Sequence, residues 1–361
     1  MKTKFVLLLL TVPFFLLANN PSKFKGRYTK EKKITKEYDV NPDARLKIDN
    51  SYGNINVTSW DQNRVVIEVF VKTNGNDEDE VEEKLDEIDV IFSGNSSFVS
   101  AETRFSRSRS KSWWNSWKSN KVHMEINYEI KVPVTNDVDL SNDYGGIFLN
   151  TLQGNAKISC DYGKITIGEL LGDDNNLNFD YTKNSTIGYM KNGSINADYS
   201  AFMLENGGDI SLNADYTKSE FGTIANLNYT CDYGSLYTNV SNSIQGQGDY
   251  LTTRLGEVHG NLNLNADYGS IRIRELSQDA GNVSIQSDYT GIKIGYDAGY
   301  TFTFDISLEY AGLSGSEDFE ITKKRIQSSD KYYQGFYGDG NSSNTININS
   351  EYGGVTFTRL N

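Results

Sequence analysis

Apolar and polar residues alternate along most of this chain in short runs of period two. Leu262, Leu264, Ala266 and Tyr268 are separated by Asn263, Asn265 and Asp267, and after Gly269 the alternation restarts with Ile271 and Ile273. The same template fits Ile158, Cys160, Ile165 and Ile167 around Tyr162, and Ile210, Leu212 and Ala214 before Tyr216. Strict alternation predicts strands with one buried face. Each pair of short strands meets at an Asp-Tyr step followed by a small residue. The tyrosine recurs at 144, 162, 181, 199, 216, 233, 250, 268 and 289, with successive spacings of 18, 19, 18, 17, 17, 17, 18 and 21. Variant copies stand at Ser51-Tyr52, Glu309-Tyr310 and Glu351-Tyr352. One such unit cannot bury its apolar face alone, whereas stacked units can. The fold predicted is all-β: a single-stranded parallel β-solenoid (β-helix) with coils of about 18 residues, right-handed. About twelve coils make a rod of roughly 55–60 Å.

Tyr shares the phase of the inward Ile, Leu and Ala residues and is expected to form a stacked ladder at an inner corner. Asp then falls outside. Asp143, Asp161, Asp180, Asp198, Asp215, Asp232, Asp249, Asp267 and Asp288 become a column of carboxylates. Unit charges one strand spacing apart repel by about 0.9 kcal/mol even in water. Two roles account for the column: capping, with each Asp accepting from the backbone N–H two residues on, or a stripe for cations or a basic partner. Arg272 and Arg274 lie nearby in sequence and are read as neutralising it. Cys160 and Cys231 precede Asp161 and Asp232 in the same phase, four coils apart. That is about 19 Å of stacking, so they are read as buried thiols and not as a disulfide.

Where the repeat breaks, three segments stand out. Asp77 to Asp89 holds nine acidic residues with Val81, Leu85 and Ile88 at helical spacing, which predicts an amphipathic helix within an N-terminal α/β cap. Residues 104–121 carry Arg104, Arg107, Arg109, Lys111, Lys118 and Lys121 without an acid, interleaved with Trp113, Trp114 and Trp117. This reads as a long hairpin loop, either a contact site for a glycan or protein or a cover folded on the cap. Residues 311–345 interrupt the last copies and predict a hairpin or loop excursion.

Composition narrows the function. The 361 residues are 37% hydrophobic, so the chain is no disordered segment, and the net charge of −13 argues against nucleic acid as a partner. Lys2 and Lys4 precede an apolar run from Phe5 to Ala18, too short to span a membrane and read as a signal peptide over residues 1–18. The remaining divisions are a linker at 19–39, the cap with the first coils at 40–135, and the repeats at 136–361. No grouped carboxylates, metal-spaced His pair, nucleophile elbow or phosphate loop breaks the repeat, and His259 sits in a turn-like Gly256–Gly260 corner. No cofactor and no metal are expected, nor a regular Thr face for ice.

The stretches "LKIDNSYGNINV" from Leu46, "EEKLDEIDVIFSG" and "SWWNSW", with the serial "DYG" coils, give the chain a resemblance. It resembles exported β-strand-repeat proteins of Bacteroidetes, a domain-of-unknown-function family of adhesins similar to the GIN-type adhesin head domain. The resemblance implies a periplasmic, outer-membrane-associated or surface location, and it brings no catalytic residues. The expectation is therefore a non-enzymatic, monomeric envelope protein, not membrane-spanning, that recognises a protein or glycan partner. The alternatives are a carbohydrate-active β-helix enzyme or a purely structural envelope protein.

Overall fold

The structure is a computed structural model that describes residues 24–106 and 122–360. The signal-peptide segment and most of the Trp/Arg loop, from Arg107 to Lys121, lie outside the described residues. The described chain is all-β. Its 27 strands join in one open, mostly parallel sheet, and one helix accompanies them.

The pairings follow the repeat. Strand Ala156–Asp161 lies parallel between Asp137–Asp143 and Asn175–Asp180, with Ile158 against Leu140 and Leu177. Strand Lys164–Leu170, after the tyrosine, lies parallel between Gly146–Leu152 and Ser185–Asp198, with Ile165 against Ile147. Equivalent residues of successive repeats therefore stand in columns. Inward columns are Ile, Leu, Val and Phe, and both sets of strands feed one buried core. Cys160 pairs with Phe179 and Phe179 with Ala197, while Ala214 pairs with Cys231. The two thiols thus occupy one column in different repeats, and both are free and buried. Burial pushes each up to about 12, so neither is a reactive thiolate at neutral pH.

Antiparallel strands cover both ends, where a parallel stack would expose pairing edges. At the beginning, Tyr28–Asp39 pairs with Arg64–Gly75, which pairs with His123–Pro133. The residues read as a linker at 19–39 thus include a twelve-residue strand. Its Ile34 and Tyr38 pack against the core, but the Lys and Glu residues at 30–33 and 36–37 hide the alternation. The acidic segment forms the helix Glu78–Glu87. Asp77 caps it by accepting from the Glu80 N–H at 3.1 Å, and Glu78, Asp79 and Glu80 in the first turn suit the helix dipole. Val81 is buried, and Lys30 pairs with Glu78 at 2.8 Å.

At the other end the chain leaves the repeat order. Thr345–Glu351 lies between Val283–Asp288 and Phe302–Glu309, parallel to both. The last repeat therefore fills a gap that the preceding segment left open. Residues 311–345 contain the hairpin Glu320–Gln327/Asp330–Tyr337, laid antiparallel on Phe302–Glu309. Tyr296, Phe302, Phe319, Tyr337 and Phe357 pack together beneath it, with ring centroids 5.0–6.4 Å apart. The outer strand Glu320–Gln327 is exposed throughout and carries Lys323, Lys324 and Arg325, charges that discourage further strand addition.

Candidate functional site

Twelve tyrosines of the repeat corner adopt left-handed backbone angles, with φ between 48° and 64°. A non-glycine residue in that region is disfavoured by roughly 1–2 kcal/mol. The left-handed step also breaks the alternation. In one repeat Cys160 points inward, Asp161 and Tyr162 both face out, and Ile165 points inward again. The tyrosines accordingly line the outside of the corner, not its inside as period two had implied. They are 42% exposed at Tyr52 and 60% exposed at Tyr310.

The rings stack on one another from Tyr52 through Tyr144 to Tyr289, then Tyr352 and Tyr310. Centroids are 4.6–5.3 Å apart and the planes lie within 11° of parallel. Loss of water on stacking, then the neighbouring phenols, push the hydroxyls of Tyr162, Tyr199, Tyr233 and Tyr268 above the ordinary tyrosine range. The ladder is therefore uncharged at neutral pH. It is a continuous aromatic strip open to solvent.

Beside it runs the predicted acidic column. Asp143 pairs with Asp161, Asp161 with Asp180, and Asp180 with Asp198. Asp215 pairs with Asp232, and Asp249 with Asp267, Asp267 with Asp288. Glu351 and Glu309 continue the column at the far end. The carboxylates do not cap their own corner two residues on. Each of Asp161, Asp180, Asp198, Asp215, Asp232 and Asp267 accepts from the backbone N–H of the next repeat's Asp, at 2.8–3.3 Å. The Tyr N–H in turn donates to the next Asp carbonyl, as from Tyr162 to Asp180 at 3.0 Å. Each Asp is the last paired residue of its strand, and the carboxylate of the preceding repeat adds a side-chain acceptor for its N–H. Among the described residues no carboxylate of this column has an ion pair, and no three His, Cys, Asp or Glu gather as a metal site. Arg272 stacks with Arg254 and Lys293 on the other strands, and Arg274 lies 3.8 Å from Glu257, so neither neutralises the column.

Four members of the column titrate above their ordinary values. Loss of water first, then like-charged neighbours, raise Asp143, Asp180 and Asp249, while Asp288 foremost raises Glu351. The folded state then binds protons more tightly than the unfolded state, so stability falls as pH rises from the ordinary Asp value of 3.8 through the raised values. Thermal melting is expected to shift upward on mild acidification from neutral pH. An Asp180→Asn/Asp249→Asn variant, which keeps an acceptor oxygen at each position, should melt higher at neutral pH and show a flatter profile. A wild-type melting temperature that only falls from neutral pH toward 3.8 would contradict this.

Of the basic and tryptophan residues of the Trp/Arg segment, only Arg104 is described, and it pairs with Glu102 at 3.0 Å. Arg107, Arg109, Lys111, Trp113, Trp114, Trp117 and Lys118 lie outside the described residues. Phe105, just before them, meets Tyr52 edge-on at 5.9 Å, so the segment departs from the first rung of the ladder.

Sequence reading passed over one polar cluster. The His259 Nε2 lies 2.9 Å from Glu257, and its Nδ1 is 2.9 Å from Asp279 and 3.2 Å from Ser277. Ser277 donates to Asp279, whose carboxyl is held below the usual range by hydrogen bonds from Ser277 and His259. With its proton committed to Asp279, Ser277 is not presented to the imidazole as a nucleophile, and the cluster ties two neighbouring corners together. Sequence spacing gave no signal for it, because Glu257 and Asp279 are a full repeat apart.

No family model matches the chain, and neither does any curated protein. Solved structures similar to it include a candidate cell adhesion protein from Clostridium sporogenes, 11% identical over 92% of this chain and 100% of that one, with a TM-score of 0.21. A candidate adhesin from Parabacteroides distasonis is 11% identical over 73% of this chain and 93% of its own, with a TM-score of 0.33. A candidate lipid binding protein from the same organism is 9% identical over 90% and 96%, with a TM-score of 0.29. At these identities and scores the likeness assigns no activity. Among the described residues no helix is long and apolar enough to cross a membrane.

Proposed function

We propose that the protein is a non-enzymatic, adhesin-like β-solenoid of the cell envelope that holds a partner or surface polymer along its tyrosine corner. The solenoid reading is supported by parallel pairing at offsets of one repeat. The observation that carries the functional reading is the twelve left-handed, outward, stacked tyrosines. Glycine or asparagine would meet the backbone requirement at lower cost. A half-exposed aromatic strip adds surface that a purely structural corner does not need, and aromatic residues dominate contact energy at binding surfaces. The Trp/Arg loop, starting beside Tyr52, is proposed as a second contact at the same end. An enzyme reading gains no support from the Ser277–His259 cluster, for the reason given above.

The test compares wild type with Tyr199→Asn/Tyr216→Asn/Tyr233→Asn in binding to envelope fractions. Asn tolerates the left-handed backbone, so the variant should stay folded. At least a tenfold loss of binding is expected, about 1.4 kcal/mol. Unchanged binding by a variant of unchanged melting temperature would remove the ladder from the reading. Deleting residues 106–120 without effect would remove the loop.

A further inference from the structure

We propose that the outward face of the strands preceding the tyrosine corner, over the central repeats, binds a linear uncharged polysaccharide; this deepens the adhesive reading and rests on it. Two outward columns cover that face. One runs through Asn228, Gln245 and Asn263, and the other through Thr230, Gln247 and Asn265. All six residues are exposed. Along the registers, the first column has no ionisable residue from Asn176 to Asn347, nor the second from Ser141 to Asn349. In a chain with 23% charged residues such neutrality is a specific property of the face.

An open groove of about 510 Å³ lies across it, lined by Asn228, Gln245, Asn263, Leu227 and Ile244 and, at one edge, by Asp209, whose carboxylate accepts from Asn226 at 2.7 Å. A second depression continues past Thr230, Gln247 and Asn265. Among the described residues these five amide side chains make no hydrogen bond within the protein. A primary amide offers two N–H donors and an acceptor oxygen, which complement hydroxyl groups that both donate and accept. The groups recur at the strand spacing, about 4.8 Å, a period comparable to the advance of one pyranose in an extended chain. The Asp column borders the face toward the ladder and repels anionic polymers, while its carboxylates accept hydrogen bonds from hydroxyls. The tyrosine rings beyond offer flat surfaces to the C–H faces of sugars. The two exposed columns offer a protein partner no aromatic or aliphatic side chain of the kind that anchors protein interfaces.

Affinity electrophoresis through gels containing galactomannan, xyloglucan, mixed-linkage β-glucan or dextran, and separately polygalacturonate or alginate, tests this. At least one neutral polymer should retard the wild-type protein, and the anionic ones should not. Gln245→Glu/Asn263→Asp and Gln245→Ala/Asn263→Ala should each weaken that retardation at least tenfold while melting like wild type. The inference falls if none of the four neutral polymers retards the protein, if polygalacturonate or alginate retards it as strongly, or if both variants bind like wild type. It also falls if sedimentation shows a wild-type dimer that the variants break, which would make the face a contact between copies. Tyrosine-dependent binding to envelope fractions that persists without polymer retardation would leave the adhesive reading standing and overturn this one alone.

Discussion

Gly246→Ala is expected to destabilise the protein by about 2–3 kcal/mol, the range of overpacking in a filled core. A methyl group at Gly246 would sit 2.0 Å from Cε1 of Tyr229 and 2.3 Å from Cδ1 and Cζ. Tyr229 is the inward residue directly across from Gly246 in the preceding repeat, 2% exposed, and its hydroxyl bonds to Thr253. The ring cannot swing away without breaking that bond and opening a void, so backbone must give. One large residue thus occupies the space of two inward positions. Shrinking the partner should relieve the clash: Tyr229→Leu/Gly246→Ala is expected to melt above Gly246→Ala alone. A double variant no more stable than the single one would mean that the ring is not what excludes the methyl group.

That pairing shows which parts of the fold could be read from sequence and which could not. Local signals carried well. The alternation around Ile158 and Ile165, the helix from Glu78 with its Asp77 cap, and the separation of Cys160 from Cys231 follow from residues near one another in the chain. Non-local compensation did not carry, since Gly246 looks like an ordinary strand glycine until Tyr229 is placed beside it. The insertion of Thr345–Glu351 between Val283–Asp288 and Phe302–Glu309 was equally silent, because its alternation suits either order. The orientation of the candidate site was legible in principle. Cys160 and Ile165 both point inward at an odd separation, so one residue between them had to break period two. The sequence reading instead carried the alternation through Tyr162, because Tyr in a left-handed turn is rare. The ladder was therefore foreseen on the wrong side of the wall.

The placement also explains why the acidic column survives. With Tyr outside, each Asp lies between aromatic rings and amides, and six of the column's carboxylates bind the next repeat through its backbone N–H. The column and the ladder adjoin at every corner: each carboxylate accepts from the N–H of the next repeat's Asp, directly before the left-handed Tyr. Removing the charge while keeping the oxygen therefore has a different effect from removing the oxygen.

Tyr216→Val should cost about 2–4 kcal/mol, whereas Tyr216→Gly should stay within about 1 kcal/mol of wild type. Tyr216 has φ 52° and stacks at 4.8 Å on Tyr199 and 4.9 Å on Tyr233. Both substitutions lose the two stacks, each worth about 0.5–1.5 kcal/mol and nearer the lower end at a half-exposed site. They differ in the backbone. Glycine releases the left-handed strain of roughly 1–2 kcal/mol and returns part of it as chain entropy, about 0.5–1 kcal/mol. Valine keeps the strain and adds β-branching, which makes that region an outright outlier. Denaturant melts of the two variants read the difference directly, and equal stability would mean that the corner does not need its left-handed residue. The expected near-neutrality of glycine is what gives the ladder its functional weight. If stability is served almost as well by glycine, the repeated tyrosine is retained for the surface it presents.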